Sequence, residues 1–148
     1  MARALGAAGA HVILNGRDEA RLEQFESTLK AENLSVERAV FEVRETDRVR
    51  AYFAGRPRLN ILVNNAVTRA FGPVEEMSDT AWQRGLAVNL TAPFQLIRET
   101  LPAMRKSGWG RIVNIASIYS LIAAKGRVDY VTTKTGLLGL TRAVALEV

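Results

Sequence analysis

The sequence predicts an α/β protein organised around a parallel sheet. Short apolar runs alternate with segments of helical periodicity along the whole chain, and strands separated by helices imply parallel strand–helix–strand units. The 148 residues match the usual size of one domain, and 48% of them are hydrophobic. We therefore expect a single α/β domain over residues 1–148.

The first predicted elements are a buried strand and a one-sided helix. Residues 11–15 form a short apolar run that Gly16 ends. Asp18 is a good helix N-cap, and the helix that follows it carries three apolar side chains at helical spacing, Leu22, Phe25 and Leu29. This pattern predicts a helix with one buried face.

The rest of the chain continues the alternation. The next runs predict a second strand, a short helix and a third strand, at residues 36–43, 47–53 and 59–63. Ser78 can cap a long helix that reaches about Lys106, with Pro93 and Pro102 as candidate kinks. The last runs predict a fourth strand and a final helix, at residues 111–116 and 128–148.

Composition excludes several classes of protein. The chain has no Cys and a single histidine, His11, so disulfides, thiolate metal sites and histidine clusters are ruled out, and we expect no metal. No stretch approaches the length of apolar residues that a membrane span needs, which predicts a cytoplasmic protein without a membrane partner. The net charge is +5, but the basic residues are scattered among acids, so a nucleic-acid partner is not expected.

Tyr130 and Lys134 are the strongest candidates for catalytic residues. Their four-residue offset places them on one face of a helix, and a neighbouring ammonium favours the phenolate form of a tyrosine. Taken alone, such a pair is more often an ordinary helix-surface pair. Ser117 changes that balance, because it follows the predicted fourth strand at the carboxyl end, where open α/β sheets bind ligands.

Two asparagines add to this set. Asn65 lies in Asn-Asn-Ala at the end of the third strand, and Asn89 lies within an otherwise apolar helix. A buried helical asparagine requires hydrogen-bond partners. Together with Ser117 and the Tyr-xxx-Lys pair, these residues resemble the short-chain dehydrogenase/reductase family over essentially the whole chain. That resemblance implies a Rossmann-like, doubly wound parallel sheet.

The resemblance also implies an activity and the residues that carry it. The activity is hydride transfer between a nicotinamide cofactor and a small alcohol or ketone. Tyr130 would exchange a proton with the substrate oxygen, and Ser117 would hold that oxygen. Lys134 would assist Tyr130 and bind the nicotinamide ribose, while Asn89 would anchor a water relay to Lys134. Tyr119 is a candidate for the substrate pocket, although a structural role explains it equally well.

Further positions are implied as contacts of the cofactor. Asn65 would line its ribose region, Val43 would lie beside its adenine, and Glu42 stands where the family usually has Asp. At the end of the first strand, NAD enzymes of this family place an acid, but here Gly16 is followed by Arg17. A guanidinium at this position can pair with the 2'-phosphate of NADP. We expect NADP, with NAD as the alternative; Arg17 as a solvated turn residue is nearly as plausible.

The resemblance finally implies that the chain is truncated at both ends. The family opens with a strand and a glycine-rich turn that binds phosphate, whereas residues 2–10 resemble the tail of the helix after that turn. The absent strand would be central, so we expect a divided sheet with unpaired edges. The long helices imply a homo-oligomer, a dimer or tetramer. The alternative function is a catalytically inactive fragment that serves as an oligomerisation module.

One residue departs from the family pattern. Val67 replaces the glycine of the Asn-Asn-Ala-Gly turn. If that position needed a positive φ, a β-branched side chain would strain the turn. We therefore expect Val67 to hinder the approach of the cofactor.

Overall fold

The computed structural model describes residues 1–56 and 59–148, which form two compact units. The first unit comprises Met1–Glu45 and the second Thr46–Val148. Each unit contains one two-stranded parallel sheet, so the sheet is divided as expected. The expectation of one domain over the whole chain stays a prediction.

The first unit follows the predicted order of elements. Its helices and strands are α1 (Ala2–Ala7), β1 (Val12–Gly16), α2 (Glu19–Ala31) and β2 (Val36–Val40). The predicted cap of α2 is confirmed, because the Asp18 side chain accepts a hydrogen bond from the backbone N–H of Arg21 at 3.0 Å. β1 and β2 pair in parallel from Val12 opposite Val36 to Gly16 opposite Val40.

The core of the first unit lies where α2 covers this sheet. Leu14, Leu29 and Val36 are buried together, and Leu22 packs against them. Phe25 was expected on the same face but is exposed. Glu26 is buried in its place, because its carboxylate pairs with Arg38 of β2 at 2.6 Å and with Lys30 at 2.6 Å.

The second unit contains the remaining elements. They are α3 (Thr46–Phe53), β3 (Ile61–Asn64), α4 (Asp79–Leu86), α5 (Ala92–Lys106), β4 (Arg111–Asn114) and α6 (Val128–Glu147). Short 3₁₀ turns cover Val74–Glu76 and Ile118–Ser120. β3 and β4 pair in parallel, with Ile61 opposite Arg111 and Asn64 opposite Asn114.

The predicted long helix is present but contains an irregular turn. The Ser78 side chain caps α4 by accepting from the backbone N–H of Ala81 at 3.2 Å. A π-helical turn, Ala87–Thr91, then joins α4 to α5. Pro93 lacks the N–H that the Asn89 carbonyl would accept in a regular α-helix, which accounts for the local widening. Pro102 lies inside α5 without ending it.

None of the helices within residues 1–56 and 59–148 is both long enough and apolar enough to span a bilayer.

Candidate active site

Tyr130 and Lys134 lie on the same face of α6, as the sequence predicts. Tyr130 is half-buried in the first turn of the helix, and Lys134 follows one turn later with only 2% of its surface exposed. The Lys134 Nζ lies 5.9 Å from the centroid of the Tyr130 ring. It also donates a hydrogen bond of 2.5 Å to the carbonyl oxygen of Ile115, directly after β4. The helix and the strand end therefore hold the ammonium beside the phenol ring.

Burial changes the acid–base behaviour of this lysine. Removal from water disfavours the charged form, so burial lowers the pKa of Lys134 from its ordinary value of 10.5. One carbonyl hydrogen bond is recorded for an ammonium that has three N–H donors. Lys134 therefore retains donor capacity for a further polar group.

Ser117 and Tyr119 lie on the turn that follows β4. Ser117 caps the 3₁₀ turn, and its Oγ accepts from the backbone N–H of Tyr119 at 3.2 Å while its own N–H donates to Ser120 Oγ at 3.2 Å. This capping box fixes the position of Ser117 Oγ. The Tyr119 ring meets the Tyr130 ring edge to face at 6.4 Å between centroids. Two of the predicted site residues are thus in aromatic contact.

Asn89 is buried in the π-helical turn and holds the loop after β3. Its Oδ1 accepts from the Thr68 backbone N–H at 2.8 Å, and its Nδ2 donates to the Thr68 carbonyl at 2.8 Å and to Thr133 Oγ1 at 3.0 Å. Only 1% of Asn89 is exposed. The side chain therefore links three segments, the π-helical turn, the loop and α6.

Asp129 makes a second link between the loop and α6. Its Oδ2 accepts from the Ala70 backbone N–H at 3.0 Å, whereas its buried Oδ1 has no hydrogen-bond partner among the described residues. Thr133 Oγ1 donates to the Asp129 carbonyl oxygen at 2.8 Å. Sequence reasoning missed Asp129 and Thr133, although their spacing of four residues predicts a shared helix face.

Asn65 is exposed directly after β3, where its amide faces solvent. The preceding Asn64 is buried and donates to Asn114 Oδ1 of β4 at 2.8 Å, and Asn114 Nδ2 donates to Thr141 Oγ1 of α6 at 2.9 Å. This chain of amides ties both strands to α6. Asn114 was also missed, since a polar residue within a short strand carries no motif.

The turn after Asn65 shows no backbone strain at Val67. Asn33 is the one residue other than glycine with a positive φ in ranges 1–56 and 59–148. Val67 does not have a positive φ, so the condition under which its side chain would strain the turn is not met. The Val67 side chain is about half exposed, and its effect on a cofactor stays a prediction.

Three predicted cofactor contacts lie in the first unit. Arg17 directly follows β1, and its side chain is 64% exposed with a guanidinium nitrogen 3.8 Å from Glu42 Oε1. The same Glu42 oxygen lies 2.8 Å from Arg44 Nε, so Arg44 is its nearer partner. Val43 is buried. Arg17 is thus accessible and only loosely paired.

Sequence reasoning also missed Arg127, which directly precedes α6. The Arg127 guanidinium carbon lies 4.5 Å from the centroid of the Phe71 ring and 5.4 Å from that of Tyr119. No motif marks this residue. Its position three residues before Tyr130 is the signal that could have identified it.

The whole chain is similar to known proteins. The family model described as short chain dehydrogenase matches residues 1–148. D-beta-hydroxybutyrate dehydrogenase of Rhizobium meliloti (strain 1021) is 38% identical over 100% of this chain and 60% of its own length. The chain therefore spans about 60% of this curated relative.

Two solved structures show the same fold. A metagenomic short-chain oxidoreductase in complex with NADP is 34% identical, with a TM-score of 0.94 over 99% of this chain and 68% of that one. A gluconate 5-dehydrogenase from Burkholderia cenocepacia J2315 in complex with NADP and tartrate is 30% identical, with a TM-score of 0.92 over 99% of this chain and 59% of that one. These similarities confirm the predicted Rossmann-like α/β fold.

Proposed function

Since the chain belongs to the short-chain dehydrogenase family, we propose that it carries the catalytic residues of an oxidoreductase that interconverts a small alcohol and its ketone. The observation that carries this proposal is the placement of the Lys134 ammonium beside the half-buried Tyr130 ring, with Ser117 capping the neighbouring turn. The names of two relatives, hydroxybutyrate and gluconate dehydrogenases, refer to compounds with secondary hydroxyl groups. They support a secondary alcohol as the substrate.

The polar groups of the second unit fit the ribose of a nicotinamide cofactor. Ribose offers hydroxyl groups that both donate and accept, and Lys134 retains N–H donors beyond its bond to Ile115. Asn65 presents an exposed amide at the end of β3. We assign the ribose to Lys134, Tyr130 and Asn65. A bound nicotinamide supplies or accepts the hydride.

Tyr130 acts as the acid–base group. In oxidation its phenolate oxygen takes the proton of the alcohol hydroxyl, while the carbon that bears this hydroxyl loses a hydride, which a bound nicotinamide would accept, and becomes the ketone carbon. In reduction the phenol returns that proton to the oxygen. The ammonium of Lys134, with its Nζ 5.9 Å from the centroid of the Tyr130 ring, supplies positive charge beside the phenol during this transfer.

Ser117 orients the substrate oxygen for this transfer. Its Oγ accepts from the Tyr119 N–H, which leaves the hydroxyl proton free to donate to a carbonyl or alkoxide oxygen. A donor fixed by a capping box needs little rearrangement when negative charge develops on that oxygen. Ser117 therefore serves as the hydrogen-bond donor of the reaction.

Asn89 contributes through its backbone carbonyl. Because Pro93 has no N–H, the regular α-helical donor to that carbonyl is missing, and we assign the carbonyl as the acceptor for a water. The side chain is already committed to Thr68 and Thr133 and fixes the turn. We assign to Asn89 the anchoring of a water that passes protons between Lys134 and solvent.

Arg17 of the first unit is proposed to select NADP. A largely exposed guanidinium, 3.8 Å from one carboxylate, can exchange that contact for a phosphate. Glu42 competes for Arg17 in the absence of phosphate, although Arg44 already partners it at 2.8 Å. Val43 is assigned to the adenine side, as the family resemblance implies.

The test is a comparison of Tyr130→Phe with Tyr52→Phe. Hydride transfer to NADP from a series of small secondary alcohols is followed by the absorbance of NADPH. We expect Tyr130→Phe to lose at least about a hundredfold in rate, the usual contribution of a general acid–base group, and Tyr52→Phe to keep the unaltered rate. Equal rates in the two variants would contradict the role of Tyr130.

A further inference from the structure

Arg127 is held between two aromatic rings at the start of α6. Its guanidinium carbon lies 4.5 Å from the Phe71 centroid and 5.4 Å from the Tyr119 centroid. Stacking on ring faces occupies the flat sides of a guanidinium and leaves the N–H groups along its edge free to bond. The two rings therefore orient the hydrogen-bonding edge of Arg127.

This cation has no carboxylate partner in the part of the chain that the structure describes. The ion pairs in this part of the chain involve other arginines, whereas the Arg127 guanidinium lies against the two rings. The side chain is nevertheless half-buried. A half-buried cation without a counter-charge favours the binding of an anion, because the anion restores the solvation that burial removed.

The location of Arg127 connects it with the proposed chemistry. Tyr119 contacts both Arg127 and Tyr130, with ring centroids of the two tyrosines 6.4 Å apart. Arg127 directly precedes the first residue of α6, and Tyr130 lies in the first turn of that helix. One small molecule could therefore place an anionic group at Arg127 and an oxygen at Tyr130.

The two segments that carry these rings also expose apolar side chains. Phe71, Ile118 and Leu121 are all exposed, and Arg69 lies 5.8 Å from the Phe71 centroid on the same loop. Such a surface suits a short hydrocarbon segment with one charged end. A second arginine at this ring adds positive charge.

We propose that the substrate is a short hydroxy acid or oxo acid, whose carboxylate forms a bidentate pair with Arg127 while its hydroxyl or keto oxygen lies at Tyr130. This inference rests on the proposed function for the identity of the reacting oxygen. It assigns to Arg127 the choice between acidic and neutral alcohols.

The experiment is an NMR titration of the full chain with tyrosine rings isotopically labelled. The chain contains three tyrosines, so Tyr119 and Tyr130 report on the site and Tyr52 is an internal control. The probes are 3-hydroxybutyrate and its uncharged isostere 3-hydroxybutyramide. The variants are Arg127→Gln and, as a matched control, Arg142→Gln within α6, where residue 142 is exposed.

We expect 3-hydroxybutyrate to shift the Tyr119 and Tyr130 signals saturably in the unaltered chain and in Arg142→Gln, and Tyr52 to stay unchanged. Arg127→Gln should weaken this binding by about tenfold to a hundredfold, the range for a lost charge-assisted bidentate pair. Equal binding of the amide and the carboxylate, undiminished binding in Arg127→Gln, or no binding of the acid would each overturn the inference.

The outcome is separable from that of the proposed function. Turnover of neutral alcohols without any Arg127-dependent binding of acids would support the oxidoreductase proposal and contradict the assignment of a hydroxy acid as the substrate. If neither acids nor alcohols were turned over with NADP, but acids bound through Arg127, the oxidoreductase would fail and the anion-binding pocket would stand. In that case the assignment of a hydroxy-acid substrate would fail with it.

Discussion

At Lys134, burial and hydrogen bonding act on the same ammonium in opposite directions. Removal from water lowers its pKa from 10.5, while the Ile115 carbonyl at 2.5 Å stabilises the charge. A side chain 2% exposed could be replaced by an apolar residue of similar size at little cost. Stability alone therefore does not explain a lysine here, which supports the role that we propose for Lys134 beside Tyr130 and the ribose.

The lowered pKa gives a pH dependence of stability with a definite sign. Below the folded-state pKa both folded and unfolded chains carry the Lys134 proton, and the burial penalty is fully present. Between that pKa and 10.5 the unfolded chain binds the proton and the folded chain does not, so stability rises with pH. Above 10.5 neither state carries it.

Lys134→Met should remove this dependence. We expect the unfolding free energy of the unaltered chain, relative to Lys134→Met, to increase as pH rises toward 10.5. Urea unfolding of both chains at a series of pH values measures the difference between their unfolding free energies. Contributions from the other titrating groups are the same in both chains and cancel in this difference. A difference that is constant or falls with pH would show that burial does not control this ammonium.

At the scale of elements, Asn89 and Asp129 fix the loop after β3 against the helices. Thr68 is bonded through both its N–H and its carbonyl to Asn89, and the Ala70 N–H is bonded to Asp129. Buried backbone groups that lose such partners cost about 1–3 kcal/mol each. The loop that carries Phe71 therefore depends on two buried side chains of helical segments.

Asn89→Leu should release this loop. The variant leaves the Thr68 N–H and carbonyl without partners, and we expect a loss of about 2–5 kcal/mol in unfolding free energy. Hydrogen exchange of the Thr68 amide should accelerate more than that of the β3 amides. Gln83→Ala, at an exposed position of α4, is the control and should change stability by less than about 0.5 kcal/mol. An unchanged Thr68 exchange rate would refute the role of Asn89.

The core of the first unit offers an independent test of its packing. Leu29 is fully buried beneath the strands, in contact with Leu14 and Val36. Leu29→Ala should cost about 2–5 kcal/mol, because a buried cavity adds to the lost transfer energy. Phe25→Ala, at the exposed position four residues earlier, should cost far less in the same urea unfolding experiment. Equal losses would mean that α2 packs by a different face.

The order and type of these elements follow from periodicity, whereas several boundaries do not. Residues 36–43 were predicted as one strand, but β2 ends at Val40. Phe41 and Val43 are nonetheless buried. The apolar run therefore predicted the burial of these residues correctly, but it extended the predicted strand beyond the residues that pair. The π-helical turn escaped prediction because a proline in a helix indicates a kink without specifying which carbonyl is released.

At the scale of the whole molecule, the site divides into what motifs predict and what only packing reveals. The Tyr130–Lys134 contact follows from an offset within one helix. The contacts of Arg127 and Asp129 join α6 to a loop more than fifty residues away, and no local pattern encodes that approach. The sequence has its basic residues scattered among acids, which predicts charged residues on solvated surfaces. Within each unit, many arginines do pair with nearby acids.

The most direct test of the account is a thermal melt of the full chain alone, with NADPH and with NADH. A ligand that binds only the folded state stabilises it by about 2.7 kcal/mol at a hundredfold excess over Kd. We predict a cooperative transition that NADPH raises more than NADH, with the difference lost in Arg17→Gln. A transition indifferent to both cofactors would contradict the proposed oxidoreductase and favour a catalytically inactive module.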